Sequence, residues 1–502
     1  MTPAEMRAAE AAVFAAGGDP AAAMDEAGRR LAGVVAAHHP LPGTLVLALG
    51  HGHNAGDAAV AGRHLAARGW RVCHWFADPA RPLAALTRLR CDALAGTSTL
   101  VDPAAPDPAW PRPWVVLDGL VGLNARLPLD ATLAAAVQAI GFLRESWQAK
   151  VVAIDLPSGL DGTTGQPASP CVTADLTATI GAVKTGLLAD AALPVVGRLA
   201  LLALATLPVA GGDPATALAT SSFLSACLPR RPHDLHKTKA GRIGILAGSP
   251  GMTGAAALAA SGALRAGAGV VTVLAPAGCG QEIALRCPPE AMVRELDGRP
   301  DPGRLERSFD ACIIGPGAGR TLDASVATLF QHLALPAVFD ADALNALARE
   351  SGTGGGMPCL RPAAPRLLTP HPGEFARLAP ALAALERGTA ARRFVSGHPG
   401  TTLLLKGPRT IVAQEGRPVT YNQTGHQGLA TAGAGDVLAG LAGAMLARIP
   451  DAWTSGLLAA WLHGRASELA CTHGHDSPES LTASTVAAWL GAAFESLRNH
   501  EA

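Results

Sequence analysis

Short apolar runs that close on glycine, proline, aspartate or histidine constrain this chain's fold more than any other feature. In the first half they cover 44–49, 71–76, 114–117 and 151–154, with Gly50, Asp118 and Asp155 following three of them. In the second half they cover 243–247, 270–275, 311–314, 337–339, 366–369 and 402–405. Such runs read as strands buried on both faces, and helical segments alternate with them, the first over 58–67. The alternation predicts an α/β fold with a mostly parallel, doubly wound sheet in each half. Ligands of such sheets sit beyond the carboxyl ends of the strands. The loop at 50–57, Asp118 and Asp155 all fall there, one constellation drawn from three segments. The region 210–229, with Gly211-Gly-Asp-Pro-Ala and Ser221-Ser, reads as a linker. The expected organisation is therefore a domain at 1–212, a linker at 213–228 and a domain at 229–502. The halves share a class but no obvious repeated sequence.

Composition narrows the function. The chain has 502 residues, zero formal net charge and 16% charged residues. That gives no bulk electrostatic case for nucleic acid or an anionic membrane. No charge-free apolar run of about 18 residues reads as a membrane span. The N-terminal residues lack the pattern of a signal peptide. The nine cysteines form no Cys-x-x-Cys pair, and their odd number favours reduced thiols and a cytoplasmic protein. Of 40 basic residues, lysine supplies only Lys150, Lys184, Lys237, Lys239 and Lys406. Where arginine is used almost everywhere, a lysine beside a motif marks a need for a compact point charge.

Two groups of motifs carry chemistry. In the C-terminal half, Ala432-Gly433-Ala434-Gly435-Asp436 precedes a helix from Val437. Small residues let the backbone approach a phosphate, and helix amides would point at the anion. Asp436 is placed to take a proton from a hydroxyl being phosphorylated. Leu405-Lys-Gly-Pro-Arg-Thr-Ile-Val412 reads as strand, turn and strand, offering Lys406 and amides to nucleotide phosphates. Asp340-Ala-Asp-Ala-Leu-Asn345 opens a helix, where its acids are caps or ligands. His371 stands between Pro370 and Pro372, which stiffen it as a ligand contact. In the N-terminal half, Gly50-His-Gly-His-Asn-Ala-Gly-Asp57, Asp118-Gly-Leu-Val-Gly-Leu-Asn124 and Asp155-Leu-Pro-Ser-Gly-Leu-Asp-Gly162 gather oxygens suited to a hard cation and to hydroxyls.

The N-terminal segments resemble the NAD(P)H-hydrate epimerase domain. Its Gly-x-Gly-Asn-Asn-Gly-Gly-Asp-Gly loop is matched at Gly50, Gly52, Asn54, Gly56 and Asp57, and its Asp-x-Pro-Ser-Gly-Leu-Asp pattern at 155–161. Thr177-Ala-Thr-Ile-Gly-Ala-Val-Lys184 resembles a later family segment. The resemblance implies that Asn54, Asp118 and Ser158 hold potassium. It implies that His53, Asn54, Ala55, Gly56, Asp57, the loop Gly122, Leu123, Asn124, Ala125, Arg126, Leu127 and Pro128, and Asp155 hold the hydrated nucleotide. Asp155 is the implied acid/base group. His53 stands for an Asn, and Ala55 and Ala58 for glycines. A Cβ where the loop wants glycine forces its backbone or crowds the ligand, which implies a weaker epimerase or a binding module.

The C-terminal segments resemble the ADP/ATP-dependent NAD(P)H-hydrate dehydratases of the ribokinase-like superfamily. Gly-Ser-x-Gly-Met-Thr-Gly-Ala-Ala at 248–256, Gly-Pro-Gly-x-Gly at 315–319, Asp-Ala-Asp-Ala-Leu-Asn, Thr-Pro-His-Pro-Gly-Glu, Leu-Lys-Gly-x-x-Thr and Gly-x-Gly-Asp-Val-Leu occur in the family's order over about 230–480. His426, Gln427 and Leu429 depart from it. The resemblance implies that Ala255, Gly317, His371 and Asp436 contact the hydrated dinucleotide. Lys406, Gly407, Pro408, Arg409, Thr410 and Gly435 would contact ADP or ATP, with Mg2+ accompanying the nucleotide. It implies a Rossmann-like N-terminal sheet, a ribokinase-like α/β/α sandwich after it, and a homo-oligomer. The Gly-x-Gly-Asp turn alone fits equally a small-molecule kinase fused to a non-catalytic module.

Overall fold

The structure, a computed structural model, describes residues 1–350 and 356–499. The chain divides into two compact units, Met1–Pro214 and a second beginning at Ala215.

The first unit is built on a seven-stranded sheet: β1 (Thr44–Leu49), β2 (Arg71–Phe76), β3 (Ser98–Leu100), β4 (Trp114–Gly119), β5 (Lys150–Ile154), β6 (Leu176–Ile180) and β7 (Arg198–Leu202). The order is β3-β2-β1-β4-β5-β6-β7, with every pair parallel. Alternate β1 residues enter opposite cores: Leu45, Leu47 and Leu49 one, Val46 and Ala48 the other. The winding reverses between β1 and β4, which opens a crevice at their carboxyl ends. The helix expected over 58–67 instead spans His53–Ala66, with Gly52 as its N-cap. Residues 53–57 are thus a helical first turn rather than a loop. Ala55 and Ala58, good helix formers, are fully buried in the core.

The second unit carries ten strands: β8 (Thr216–Ala219), β9 (Arg242–Leu246), β10 (Val270–Ala275), β11 (Met292–Glu295), β12 (Ala311–Ile314), β13 (Ala337–Phe339), β14 (Arg366–Leu368), β15 (Thr401–Leu405), β16 (Ile411–Gln414) and β17 (Val419–Asn422). Their order is β11-β10-β9-β12-β13-β14-β15-β16-β17-β8, and β16 alone runs antiparallel to its neighbours. The expected linker at 213–228 is corrected here. Its residues 216–219 pair with β17, Leu218 opposite Tyr421, and Ser221–Cys227 form a helix whose Phe223 amide is capped by Thr220 Oγ1. Ser221 and Ser222 open this helix rather than a turn, and a four-residue edge strand lacks a recognisable apolar run.

Helix Ala434–Arg448 packs against helix Thr253–Arg265 at backbone distance. A Cβ on Gly262 would strike Val437 O, and one on Gly440 would strike Ala259 O. The first helix begins at Ala434, earlier than expected, because Gly433 adopts φ +85° as its N-cap. Asp436 therefore lies in the first turn, tied through this glycine contact to the core. Among the described residues, no helix is long and apolar enough to cross a membrane.

Candidate functional site

The crevice of the first unit holds a cavity of about 210 Å³ lined by Glu10, His51, Asn54, Asp57, Asn124 and Asp155 among others. Asp155 follows β5 with φ +68°, a backbone conformation costly for a residue with a Cβ. Its Oδ1 accepts from Ile180 N at 3.0 Å, from Thr179 Oγ1 at 3.3 Å and from Lys184 Nζ. Those bonds leave Oδ2 for the cavity. Lys184 is fully buried and also donates to Ile180 O at 2.6 Å. Burial, with the charges of Asp155 and Glu10, pushes the Asp57 carboxyl well above its ordinary range.

Asp118, at the end of β4, is fully buried. It accepts from Ser158 Oγ at 2.6 Å, Ser158 N at 2.8 Å and Leu120 N at 3.3 Å. Burial still lifts its pKa to about 6. Among the described residues no basic side chain pairs with it. Asn54 donates from Nδ2 to Ile154 O at 2.8 Å, so its amide is fixed at the same strand ends, facing Gly122. A buried carboxylate, a hydroxyl and an amide oxygen fit a singly charged hard cation.

In the second unit the first turn of helix Ala434–Arg448 meets the ends of β13, β14 and β15. Lys406 Nζ donates to Asp340 Oδ1 at 2.9 Å and lies 3.8 Å from Glu374 Oε2. A Cβ on Gly435 would stand 3.4 Å from that ammonium. Burial opposes the charge on Lys406, but Asp340 and Glu374 outweigh it and hold the pKa above its ordinary value. Burial, then Asp340, raises Asp436 to about 7, with Lys406 acting against them. Thr369 Oγ1 also donates to Asp340 Oδ1, at 2.8 Å. Asp342 accepts from Gly319 N at 2.7 Å, tying the 315–319 turn to the same place. Gly317 touches Ala255, whose Cβ leaves no room for another at 317.

Two family models match the chain: residues 20–186 match the YjeF-related protein N-terminus, and residues 243–485 match NAD(P)H-hydrate dehydratase. The bifunctional NAD(P)H-hydrate repair enzyme Nnr of Gloeobacter violaceus is 37% identical over 491 residues, covering 94% of this chain and 93% of that one. The chain belongs to the bifunctional NAD(P)H-hydrate repair family. The enzyme of the same name from Moorella thermoacetica is 33% identical, over 84% of this chain and 82% of its own. The ADP/ATP-dependent NAD(P)H-hydrate dehydratase structure from Bacillus subtilis is 28% identical, covers 56% of this chain and 99% of its own, and has a TM-score of 0.48.

The expected residues of this repair-family chain divide by position. His53, Asn54, Asp57, Gly122, Leu123, Asn124 and Asp155 line the first cavity. Ala55 is enclosed in the core and Gly56 packs on Met24, so neither presents a side chain to it. Ala125, Arg126, Leu127 and Pro128 are not among its lining residues. His51, His53 and Arg81 line an adjoining cavity of about 460 Å³. Lys406, Gly407, Pro408, Arg409 and Thr410 form the β15–β16 turn, with Arg409 at φ +51°. His371 is foremost a cap: its Nδ1 accepts from Gly373 N at 3.0 Å and Glu374 N at 3.4 Å. Its Nε2, 3.5 Å from Glu374 Oε1, is the atom left for a ligand. Sequence reasoning missed Glu10 altogether, gave Glu374 only as the end of the Thr-Pro-His-Pro-Gly-Glu motif, and marked Lys184 as a needed point charge without naming its partner. The scarcity of lysine was the signal for Lys184; nothing local marks Glu10.

Proposed function

We propose that this chain restores hydrated NADH and NADPH, the C-terminal half by dehydrating one epimer with ADP or ATP and the N-terminal half by interconverting the epimers. Water added to the nicotinamide ring leaves a hydroxyl on the carbon beside the ring nitrogen. Hydroxide leaves poorly, and a phosphate ester leaves well. Asp436 takes the hydroxyl proton as that oxygen attacks the terminal phosphorus of the nucleotide. The ester's C–O bond then breaks, its electrons leaving with phosphate while the ring nitrogen's pair forms the C=N bond. Loss of a proton from the neighbouring ring carbon regenerates the dihydronicotinamide. Amides of 433–436 and Lys406 balance the charge on the moving phosphoryl group.

The observation carrying this reading is Asp436, raised to about 7 by burial and Asp340 in a phosphate-type turn beside Lys406. Its protonation midpoint suits a base working near neutrality. Among the described residues no cluster of three His, Cys, Asp or Glu side chains could hold a metal. Mg2+ would arrive on the nucleotide phosphates, favoured by the negative charge of Asp340, Asp342 and Glu374 around Asp436. In the N-terminal half, Asn54, Asp118 and Ser158 would hold potassium, which neutralises Asp118 and offers the substrate a cationic contact. Asp155, fixed by Lys184, acts at the hydroxyl-bearing carbon. Arg81, in the pocket it lines with His51 and His53, suits the substrate's phosphates.

The test supplies the full-length protein with mixed hydrate epimers, with and without ADP or ATP, and follows the absorbance of reduced cofactor. Nucleotide-dependent recovery of both epimers with release of phosphate is expected. Recovery of one epimer alone would remove the epimerase role, and a stable phosphorylated product would make the C-terminal half a kinase.

A further inference from the structure

The cavity of the first unit contains a carboxyl to which neither half-reaction has yet given a task. Glu10 lies on helix Pro3–Ala15, whose start is fixed by a reciprocal cap between Thr2 and Glu5 and by Met1 N donating to Val183 O at 3.0 Å. Met6, one turn before Glu10 on the same face, is fully buried, and its methyl packs where a Cβ on Gly181 would sit. That face therefore points at the end of β6, and Glu10 lines the cavity with Asp57, Asp155 and Ile180.

The cations near it are engaged elsewhere. Lys184 pairs with Asp155. Arg7, three residues back on the helix, donates from Nη1 to Leu123 O at 2.6 Å. Among the described residues, Glu10 makes no ion pair or side-chain hydrogen bond. Burial and the charge of Asp155 raise its pKa, with Lys184 and Arg7 opposing. Asp57, its carboxyl pushed well above its ordinary range by burial, and His51 and His53 are the other titratable groups on this cavity. Three carboxyls thus share one site: Asp155 with a buried lysine counter-ion, and Asp57 and Glu10 without one, of which Glu10 alone is only half-buried and can recover a proton from solvent. That asymmetry is how a site keeps a base and an acid at one pH.

We propose that Glu10 is the catalytic acid of epimerisation, donating its proton to the ring hydroxyl, with Asp155 as the base that receives the returning water. This rests on the epimerase reading of the N-terminal half. The Glu10 proton passes to the hydroxyl oxygen, and the C–O bond breaks with its electron pair leaving as water. The ring nitrogen's lone pair forms C=N. Water adds to the opposite face of that carbon, returning the pair to nitrogen, and gives its proton to Asp155. Solvent exchange then moves a proton back to Glu10. No oxidant or second substrate is required.

The test uses full-length protein, one purified hydrate epimer and no adenine nucleotide, with the uncatalysed rate subtracted. Glu10→Gln should lower kcat for epimerisation about a hundredfold or more, leaving KM within a few-fold. The fall in wild-type rate as pH rises through the Glu10 titration should vanish in Glu10→Gln, and Glu10→Asp should recover part of the rate. The same Glu10→Gln preparation should dehydrate the competent epimer with ADP at the wild-type rate, and its amide exchange in β5 and β6 should match wild type, which reports an intact first unit. A Glu10→Gln rate within threefold of wild type, or a raised KM at unchanged kcat, overturns Glu10 as the acid. A wild-type protein that fails to interconvert the epimers removes the epimerase reading, and Glu10's role with it.

Discussion

Lys406 Nζ stands 2.9 Å from Asp340 Oδ1, joining the end of β15 to the end of β13 directly beside the Gly433–Asp436 turn. Asp340 is almost fully buried, and Thr369 supplies its other hydrogen bond. The lysine therefore holds the pocket floor together and presents a positive charge to whatever anion the turn receives.

Lys406→Ala is expected to weaken ADP binding at least tenfold while changing hydrate binding little. It should also destabilise the C-terminal unit, because a buried carboxylate that loses its partner costs about 3–5 kcal/mol. Calorimetric titration with each ligand separates the two affinities. Unchanged ADP affinity would take Lys406 out of the nucleotide site.

Lys184→Met tests the corresponding pair in the other unit. Both side chains are buried, 1% and 5% exposed, so Asp155 would be left without a counter-ion. Epimerisation should fall at least tenfold, and amide exchange in β5 and β6 should quicken. Dehydration of the competent epimer should be unaffected. Wild-type exchange together with wild-type epimerisation would make the pair irrelevant to both.

Asp118→Ala should lower epimerisation and raise the potassium concentration needed for half-maximal rate, since the variant loses the one charged ligand of that set. High potassium should restore part of the rate. Equal wild-type activity in buffers lacking both sodium and potassium would count against a cation at this place.

Much of this was legible because buried parallel strands are written as continuous apolar runs, and polar residues at the carboxyl end of such a run stand out against them. Asp118, Asp155 and Lys406 were visible for that reason. The edge strand Thr216–Ala219 was not, since four residues beside Ser221 and Ser222 carry no periodicity and the pairing with β17 comes from some 200 residues away. The first turn at His53 was hidden by Gly50 and Gly52, which read as loop until Gly52 is seen as an N-cap. Glu10 was invisible for a different reason. On an amphipathic helix a carboxylate at the edge of the apolar face looks solvated, and only the folded sheet shows a cavity over it. Proline on both sides of His371 did signal a fixed ring, but the fixing is a helix cap that spends Nδ1.

Asp436→Asn should nearly abolish dehydration, while hydrate binding and epimerisation persist. Loss of a general base costs on the order of a hundred- to ten-thousand-fold in rate. Asn and Asp serve about equally well at helix starts, so a purely structural role predicts near-normal turnover. The pH dependence separates these further. The wild-type rate of kcat/KM should climb with pH up to about 7, where Asp436 loses its proton, and level off above. Stability runs the other way. The folded carboxyl has the raised pKa, so between about pH 4 and 7 the unfolded chain sheds this proton while the folded chain keeps it. Each unit of that window then removes up to about 1.4 kcal/mol from wild-type stability, and nothing further is lost above 7. Asp436→Asn lacks that loss and should melt higher than wild type at pH 8, with the gap closing toward pH 4. Removing the acid also removes its repulsion of phosphate, so ADP affinity should hold or rise. An Asn variant keeping more than roughly a tenth of the wild-type rate, against that scale, would leave Asp436 as part of the turn and send the search for the base to Asp340 and Glu374.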